Sequence, residues 1–415
     1  MRFGRPRQLT ARAAEKARAA MRNAWGRTDG TGRASTRGLK LVVVAALALA
    51  ASLAIAACGG GGGIEESGGG NTSVQTVTVS GKPSGDLTIS NWPLYIDKQT
   101  VPDFEKATGV QVKYIEDVND NQEFFSKIQP LLAKGESGGR SIVVVTDWMA
   151  QKMYQLGYLQ NLDKSAIPNV EKNEVPTLQH RPIDPKDQYA VPWQSGMTGL
   201  IVRTDLAPDI KSVCDLFNPK YKGKVDMLTE MRDTVPLVIK CQGVDLNKAT
   251  EQDWLNAIDK LKQAADSGQI RRFTGNDYAR DLTSGDVDAV IGWSGDAIQL
   301  QQDNPDIQFV MPKEGCMLWS DNMVIPVGAP NPTAAEAWMN YVYDPKNQAQ
   351  ITDYNYYFSP VSGVKQILQK QDPPAAKSDL IFPTKEFTAK CDAAPELTGE
   401  EEQKVTAAFN AVVNG

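Results

Sequence analysis

The amino-acid sequence predicts an α/β protein built from two lobes. Removal of a predicted signal peptide leaves 358 of the 415 residues, which is more than one hydrophobic core usually organises. Apolar runs of strand length also alternate with helical patterns over residues 86–157, as they do in doubly wound sheets. We therefore expect each lobe to contain a mixed sheet flanked by helices.

The first predicted lobe is a regular alternation of strands and helices. Gly109 follows a helical pattern and is expected to end it as a C-cap, and a second helical pattern stops before Gly157. In chain order we predict a strand at 87–90, a helix at 102–108, a strand at 110–114, a helix near 124–132, a strand at 142–146 and a helix at 148–156.

The second predicted lobe follows near Ser195 and continues the alternation. Thr250 and Asp253 have the spacing of a capping box and predict the start of a helix. A helix capped by Thr333 and Glu336 then returns the chain to the first lobe. We predict strands at 199–202, 224–228, 287–292 and 307–311, and a helix at 252–265.

The N-terminal region determines the predicted compartment. Residues 1–40 are basic, residues 41–57 are apolar, and Cys58 follows. This order is typical of a secretory signal, and the apolar run is short for a membrane span. Residues 55–58 (IAAC) match a bacterial lipobox, so we predict a signal peptide over 1–57, cleavage before Cys58 and lipidation of its thiol. An uncleaved membrane helix is the alternative.

A glycine-rich segment connects the predicted lipid to the lobes. Residues 58–85 lack hydrophobic periodicity and are expected to form a flexible tether. The basic region is long for a signal, so translation from Met21 is an alternative to translation from Met1. Both starts predict a protein attached to the extracytoplasmic face of the bacterial cell membrane, with no later span.

Charge limits the classes of partner. The predicted signal peptide contains 11 of the 44 Lys and Arg residues and 2 of the 50 Asp and Glu residues, so the mature chain has a net charge of −15. This charge argues against a nucleic-acid partner, which requires a basic face. It suits a cationic partner, although acidity also improves solubility.

Cysteine usage agrees with export. The chain has one histidine, His180, and no CxxC motif, so we predict neither a metal site nor a cofactor. Four cysteines in an oxidising compartment suggest two disulfides with three possible pairings, and four buried free thiols are the alternative. We expect Cys214 to pair with Cys241 inside the second lobe, which leaves Cys316 and Cys391 as the other pair.

Seven short blocks carry a resemblance to a known family. They stand at residues 91–96, 144–153, 191–202, 219–224 followed by 229–233, 291–296, 311–326 and 357–360. In this order and at these separations they resemble the bacterial spermidine/putrescine-binding protein family. The resemblance implies a two-lobed periplasmic-binding-protein fold of type II, a polyamine ligand, and delivery to the permease of an ABC importer by a monomeric lipoprotein.

The resemblance also implies which residues contact the ligand. The residues that match cleft positions of the family are Trp92, Tyr95, Thr146, Trp148, Glu230, Asp233, Trp293, Asp296, Trp319, Asp321 and Tyr357. Their chemistry points the same way, because aromatic faces hold methylene groups and cations, and carboxylates hold ammonium groups. Ordinary core packing is the alternative for any single aromatic residue.

The lobe boundaries and the hinge complete the prediction. We assign the first lobe to residues 86–194 and 320–357, and the second lobe to residues 195–319 and 358–415. The chain crosses between lobes near residues 192–196 and 319–321. These crossovers are expected to act as a hinge that closes on the ligand.

One position departs from the family pattern. The family has an acid between the residues matching Trp92 and Tyr95, where this chain has Pro93 and Leu94. Asp147 or an acid within residues 116–120 is a possible replacement. The departure leaves open which polyamine binds.

Two other functions are compatible with the predicted fold. The first is binding of another cationic or amino-acid-derived solute, or of an anion, for which Arg232 would be the best cleft candidate. The second is an extracellular enzyme on the same fold. We find no HExxH or phosphate-loop motif, and His180 lies in a hydrophilic loop, so catalysis is poorly supported.

Overall fold

A computed structural model of the protein describes residues 75–79 and 81–415. The predicted signal peptide, Cys58 and most of the predicted tether lie outside these residues. Residues 75–79, however, belong to the predicted tether and pair with the folded body. The Val77 amide donates to the Asn161 carbonyl oxygen at 2.8 Å, and the Val77 side chain is buried. The folded part of the chain thus begins before Asp86, because the Val77 side chain packs in the hydrophobic core.

One mixed sheet runs through the described part of the chain. Its order is β2-β1-β3-β9-β4-β7-β5-β6, with β8 paired to β4 and β10 paired to β9. The strands are β1 (Asp86–Asn91), β2 (Gln111–Glu116), β3 (Ile142–Thr146), β4 (Val191–Arg203), β5 (Val225–Leu228), β6 (Ile270–Thr274), β7 (Ala289–Trp293), β8 (Ile307–Val310), β9 (Met317–Val324) and β10 (Asp392–Ala393).

Thirteen α-helices of the described residues cover this sheet. They are α1 (Thr100–Thr108), α2 (Asn121–Leu132), α3 (Asp147–Gln155), α4 (Pro168–Asn173), α5 (Met231–Cys241), α6 (Glu251–Asp266), α7 (Tyr278–Ser284), α8 (Ser294–Asp303), α9 (Pro332–Val342), α10 (Pro345–Asn355), α11 (Val364–Gln371), α12 (Lys385–Thr388) and α13 (Gly399–Val413). Within residues 75–79 and 81–415, none of these helices has the length and apolar character that crossing a membrane requires.

Two long antiparallel strands join the lobes. The first lobe contains the parallel strands β1, β2 and β3, and the second lobe contains the parallel strands β5, β6 and β7. Between them, β4 pairs with β9 from Val191 to Thr198, with an irregularity between Pro192 and Gln194. Both predicted crossovers lie within this pair of strands. The predicted two-lobed α/β fold is confirmed, and the exact lobe boundaries stay predictions.

Local signals explain most helix ends. Thr250 and Asp253 form the predicted capping box of α6, and Gly109 ends α1 in the left-handed conformation that glycine adopts without steric cost. The predicted cap of α9 at Thr333 is wrong. Asn331 caps this helix through its side-chain oxygen, which accepts from the Ala334 amide, because Pro332 occupies the first helical position.

The C-terminal part of the chain contacts both lobes. Residues 360–362 lie against the first lobe, where the Val175 amide donates to the Pro360 carbonyl oxygen and the Ser362 amide donates to the Asn173 carbonyl oxygen. Farther along the chain, α13 packs on α6 of the second lobe. The segment after residue 357 therefore does not belong wholly to one lobe.

Two disulfides stabilise the second lobe. Cys214 is bonded to Cys241, with 5.3 Å between their Cα atoms. Cys316, which directly precedes β9, is bonded to Cys391, which directly precedes β10. This is the pairing expected from the sequence. The second bond fixes the start of the C-terminal segment beside the strand that joins the lobes.

Candidate ligand-binding site

A cavity of about 290 Å³ lies between the lobes. The fold determines its position, because the carboxyl ends of four strands, β1, β3, β5 and β7, lie beside it. Ligand sites commonly occupy this position in open α/β sheets. The cavity is lined by all eleven residues predicted to contact a ligand: Trp92, Tyr95, Thr146, Trp148, Glu230, Asp233, Trp293, Asp296, Trp319, Asp321 and Tyr357.

Asp321 lies on β9, one of the two strands that join the lobes, and its carboxylate bonds to residues of the first lobe. It lies opposite Thr146 of β3, and its carboxylate is almost fully buried. The Thr146 hydroxyl donates to one carboxylate oxygen at 2.7 Å, and the Tyr95 hydroxyl donates to the other at 3.0 Å. The carboxylate is thus held rigidly by two neutral donors.

Asp233 receives a similar pair of neutral donors in the second lobe. The Thr198 hydroxyl donates to it at 2.8 Å and the indole nitrogen of Trp293 at 2.9 Å. The indole nitrogen of Trp319 in turn donates to the Thr198 hydroxyl at 3.0 Å. These bonds fix the positions of two cavity-lining tryptophans as well as that of the acid.

Asp296 occupies the first turn of α8 behind the aromatic wall. Hydroxyl groups of Tyr278 and Tyr357 donate to its carboxylate at 2.6 and 2.7 Å, and the Asn276 amide donates at 3.1 Å. Its position also benefits from the helix dipole, which stabilises negative charge at helix N-termini. Asp296 therefore orients Tyr357 while remaining part of the cavity lining.

Glu230 bridges the two lobes beside the cavity. It precedes α5 of the second lobe, and its carboxylate accepts from both the backbone and side-chain amides of Asn121 in the first lobe, at 2.5 and 3.0 Å. Asn121 also contacts Thr146, since its side chain donates to the Thr146 hydroxyl at 2.8 Å. Asn121 is a residue that sequence reasoning missed, because a helix-start asparagine has no distinctive pattern.

Burial raises the pKa of these acids. The pKa of Asp321 rises to about 7 and that of Asp233 to about 6, because desolvation outweighs their hydrogen bonds. Desolvation also raises the pKa of Asp296 and, more strongly, that of Glu230. The ion pairs found among the described residues include none of these four carboxylates. These four acids thus share one cavity without a basic side chain paired to them.

Aromatic rings form the apolar surface of the cavity. Trp92 packs edge-on against Trp293 with 5.8 Å between ring centroids. Tyr357 packs against Tyr95 at 5.0 Å and against Trp319 at 5.5 Å. The first two of these pairs are edge-to-face and the third is tilted, and such contacts stabilise defined ring positions. The cavity therefore offers fixed aromatic faces between its acids.

Two glycines make room for these rings. A Cβ atom on Gly196 would lie 2.6 Å from the Trp319 ring, and a Cβ atom on Gly295 would lie 2.5 Å from the Tyr357 ring. Both distances are shorter than a carbon–carbon contact allows. Gly295 lies inside one of the seven sequence blocks, but only the structure shows that its missing side chain permits the position of Tyr357.

Two arginines line the cavity as well. Arg181, which sequence reasoning missed, forms an ion pair with Asp147 and donates to the Asn322 side chain at 2.5 Å. Arg232 lies over the Trp148 ring at 4.7 Å and contacts Glu402 at 3.6 Å. Each guanidinium group therefore has an acidic partner of its own.

The predicted replacements for the missing acid are not free. Leu94 itself is exposed and is not part of the cavity lining, unlike Pro93. Asp147 lines the cavity but is engaged by Arg181, and a Glu116 oxygen lies 3.4 Å from the Leu94 amide nitrogen. The acids that line the cavity thus come from the blocks named above and from Glu396 of the C-terminal segment.

No metal centre is evident in the described ranges 75–79 and 81–415. Within them, no group of three or more His, Cys, Asp or Glu side chains is arranged to hold a metal ion. The carboxylates of Glu230, Asp233, Asp296 and Asp321 instead bond to neutral donors. Their arrangement can accept hydrogen bonds from a cation that carries several N–H groups.

Comparison with known proteins agrees with this geometry. The bacterial extracellular solute-binding protein family matches residues 99–384. The spermidine/putrescine-binding periplasmic protein of Escherichia coli strain K12 is 27% identical over 299 residues, which cover 71% of this chain and 82% of that protein. The putrescine-binding periplasmic protein of the same strain is 30% identical over 298 residues, which cover 65% of this chain and 76% of that protein.

Solved structures show the same fold. An ABC transporter protein from Listeria monocytogenes superposes with a TM-score of 0.71 and 26% identity, over 79% of this chain and 98% of that one. A substrate-binding protein of a spermidine/putrescine ABC transporter from Streptococcus pneumoniae gives a TM-score of 0.64 at 24% identity, over 79% and 98% of the two chains. Fold and cavity thus define a two-lobed solute-binding protein. More specifically, the chain belongs to the bacterial extracellular solute-binding proteins and, among them, to the spermidine/putrescine-binding family.

Proposed function

We propose that the protein captures a polyamine of the putrescine/spermidine class outside the cytoplasmic membrane and delivers it to an ABC importer. The observation that carries the proposal is a set of four desolvated carboxylates without paired basic side chains among the described residues: the buried Glu230, Asp296 and Asp321, and the partly buried Asp233. Buried acids are stable as anions only beside a cation or strong donors. A polyammonium ligand supplies both.

The aromatic rings suit the rest of such a ligand. Methylene groups between the ammonium groups need apolar contact, which Trp92, Trp293, Trp319 and Tyr357 offer. Ring faces also attract ammonium groups through cation–π contact, worth about 0.5–2 kcal/mol each. The cavity is therefore suited to a flexible alkyl chain with positive ends, and we propose binding rather than catalysis as its activity.

A thermal-shift experiment tests the ligand class. The purified protein would be heated with putrescine, spermidine, spermine, agmatine and choline, and with acidic compounds as controls. A ligand at a hundredfold excess over its Kd stabilises the folded state by about 2.7 kcal/mol, so the true class is readily measured. Stabilisation by polyamines supports the proposal, and stabilisation by the acidic compounds alone contradicts it.

A second candidate is a cationic ligand that also carries an acceptor oxygen, such as an amino-acid-derived amine. Arg181 and Arg232 line the cavity. In addition, the buried Trp92 indole nitrogen and Arg232 Nε have no hydrogen-bond partner in the structure, and a simple polyamine has no acceptor for them. A larger thermal shift with ω-amino acids than with the matching diamines would favour this candidate.

We also propose that Cys58 carries a lipid that holds the protein at the membrane. The proposal rests on the basic, apolar and lipobox order of residues 1–58, which lie outside the described residues. Cys58→Ala should release the protein from the membrane fraction or misplace it. Unchanged membrane association of an exported Cys58→Ala protein that is cleaved elsewhere would contradict the proposal.

Delivery to the permease is proposed to follow closure of the lobes around the strands β4 and β9. A closed monomer would present surfaces of both lobes to the permease together. Small-angle scattering with and without saturating putrescine or spermidine measures this closure as a decrease in radius of gyration. Identical scattering curves, with binding confirmed in the same samples, would contradict it.

A further inference from the structure

The C-terminal segment of the chain is fixed beside the cavity. We define the C-terminal strap as residues 391–402. The strap begins at the Cys316–Cys391 disulfide, and β10 within it adds to the edge of β9 at Met317 and Leu318. Lys240, a nearly buried lysine of α5, pairs with Asp392 at 2.5 Å. Three independent contacts thus hold the start of the strap to the second lobe.

The strap also forms part of the cavity wall. Ala393, Ala394 and Glu396 line the cavity together with the residues of the two lobes. The carbonyl oxygen of Pro395 accepts from Arg232 at 3.1 Å. The strap is therefore a third component of the wall, which the sequence blocks do not contain.

One carboxylate at the end of the strap contacts both lobes. Glu402, in the first turn of α13, lies 3.2 Å from Lys152 of α3 in the first lobe. The same oxygen lies 3.6 Å from Arg232 of α5 in the second lobe. Its side chain is only 21% exposed, and that of Arg232 only 9%, so these charges are less screened than those of a surface pair.

The two basic residues enclose a cavity aromatic. Arg232 lies 4.7 Å from the centroid of the Trp148 ring, and Lys152 lies 6.0 Å from it. Trp148 is one of the residues that line the cavity. The charge of Glu402 therefore holds together two cations, one from each lobe, and the ring between them.

We propose that Glu402 is a positioning residue for ligand retention: it stabilises the closed arrangement of the lobes by pairing with Lys152 and Arg232 together, while the strap is held by its disulfide. The inference rests on the proposed function for the identity of the ligand. Opening of the cavity separates Lys152 from the second lobe and from α13, so it breaks the Lys152–Glu402 pair. Loss of this pair increases the rate of ligand dissociation more than it changes the rate of association.

The same helix provides a matched control. Lys404, two residues after Glu402, forms an ion pair with Glu251 of α6. Both α6 and α13 lie on the second lobe, and the Lys404 side chain is 59% exposed. Glu251→Gln therefore removes an ion pair of α13 without removing a contact between lobes.

The test uses stopped-flow tryptophan fluorescence on the purified full-length protein with putrescine and with spermidine. Glu402→Gln should dissociate roughly threefold to tenfold faster, with an association rate within about twofold of the parent, as expected for one half-buried ion pair. Lys152→Gln should give a similar increase, and the double variant should add little to either change. Glu251→Gln should keep the parent rates.

The disulfides provide a second pair of variants. Replacement of both Cys316 and Cys391 by serine removes one of the three contacts that hold the start of the strap, so it should accelerate dissociation in the same direction as Glu402→Gln. Replacement of Cys214 and Cys241, whose disulfide does not belong to the strap, should leave the dissociation rate of the folded protein unchanged. Equal acceleration in both double variants would overturn the role of the strap.

The outcomes separate this inference from the proposed function. If the parent protein binds neither putrescine nor spermidine, the proposed function fails, and ligand-free scattering still tests the strap. Glu402→Gln should then have a larger radius of gyration than Glu251→Gln. Parent-like dissociation in Glu402→Gln, equal changes in Glu402→Gln and Glu251→Gln, or equal radii of gyration in the ligand-free comparison would overturn the inference.

Discussion

Two groups of buried acids in this protein differ in what surrounds them. One group lies on the second lobe, where Asp226 of β5 and Asp281 of α7 are fully buried. Arg272 contacts both of these acids, and Arg271 lies 2.9 Å from Asp281 and 3.6 Å from Asp226. The other group is that of the cavity, where Asp321 and its neighbours bond to neutral hydroxyl, indole and amide groups.

The difference separates a structural charge cluster from a site that can receive charge. Burial raises the pKa of Asp226 to about 7, whereas hydrogen bonds from Asp226 and Arg272 outweigh burial and lower the pKa of Asp281. Arg271 and Arg272, together with Arg280 at 3.5 Å from Asp281, thus balance the first cluster within the chain. The four carboxylates of the proposed ligand site have no such basic partner among the described residues, and the proposed cationic ligand would supply one.

The largest expected effect is on affinity. Asp321→Asn keeps the shape of the side chain but removes its charge, and hydrogen bonds to charged groups are worth about 1.5–3 kcal/mol. Affinity for putrescine or spermidine should therefore fall about ten- to a hundredfold or more in calorimetry. Asp281→Asn makes the same chemical change in the arginine-balanced cluster and should leave affinity unchanged. Unchanged affinity in folded Asp321→Asn would mean that the ligand is not held there as a cation.

Trp293→Ala should weaken binding by a similar amount. The substitution removes the ring face and the indole donor to Asp233 at once, and cation–π contact with packing accounts for about 2 kcal/mol. Trp293→Phe separates the two contributions, because it keeps a ring but not the donor. If calorimetry gives Trp293→Ala the parent affinity, Trp293 contributes to the cavity wall without contributing to binding.

The same two asparagine substitutions should change stability in opposite directions. The pKa of Asp321 in the folded protein, about 7, lies above the value near 3.9 of an unfolded chain, so its contribution to the free energy of unfolding falls as pH rises from about 4 to about 7. At pH 8 without ligand, Asp321→Asn should raise the free energy of unfolding by about 1–4 kcal/mol. Asp281→Asn should lower it by about 1–3 kcal/mol, because two arginines lose their anion.

Chemical denaturation at pH 8 measures both changes. Asp226→Asn provides an internal control, since Asp226 lies in the same arginine-balanced cluster as Asp281 and outside the cavity. Destabilisation by Asp321→Asn as large as that by Asp281→Asn would remove the distinction between the two clusters.

Affinity for a cation should depend on pH in a defined window. The pKa of Asp321 is raised to about 7 and that of Asp233 to about 6, so both acids are charged above pH 8 and become protonated as pH falls through 7 and 6. Calorimetry should show affinity that is constant above pH 8 and about tenfold weaker at pH 6. Asp321→Asn should flatten the upper part of this profile. A profile that strengthens toward pH 6 would contradict a cationic ligand.

The smallest expected effect concerns the position at which the family has an acid. Leu94 has a φ of 59° and is 38% exposed, and its side chain does not line the cavity. We therefore expect Leu94→Glu to change the Kd of putrescine and of spermidine less than about twofold. A much larger gain for spermidine alone would show that the loop moves inward when the ligand binds.

The residues that line the cavity could be predicted from the sequence better than the contacts that hold them in position. Residues such as Trp293 and Asp296 lie in one of the seven short blocks, and the resemblance of these blocks to a known family implied their place at the cavity. The contact between Lys152 and Glu402 joins residues 250 positions apart, and no local pattern indicates it. The position of Arg181 could not be predicted, because it lies in a loop without periodicity. The burial of Val77 could not be predicted either, because it depends on an apolar site formed by distant parts of the chain.

Gly295 has a consequence for how ligand preference can diverge among related proteins. The residue does not line the cavity, yet a methyl group there would displace the Tyr357 ring, which bonds to Asp296 and contacts Tyr95 and Trp319. A single alanine would therefore reshape the aromatic wall while every ligand-contacting residue kept its identity. Two homologues with identical contact residues can thus prefer different solutes, so inheritance of specificity cannot be judged from contact residues alone.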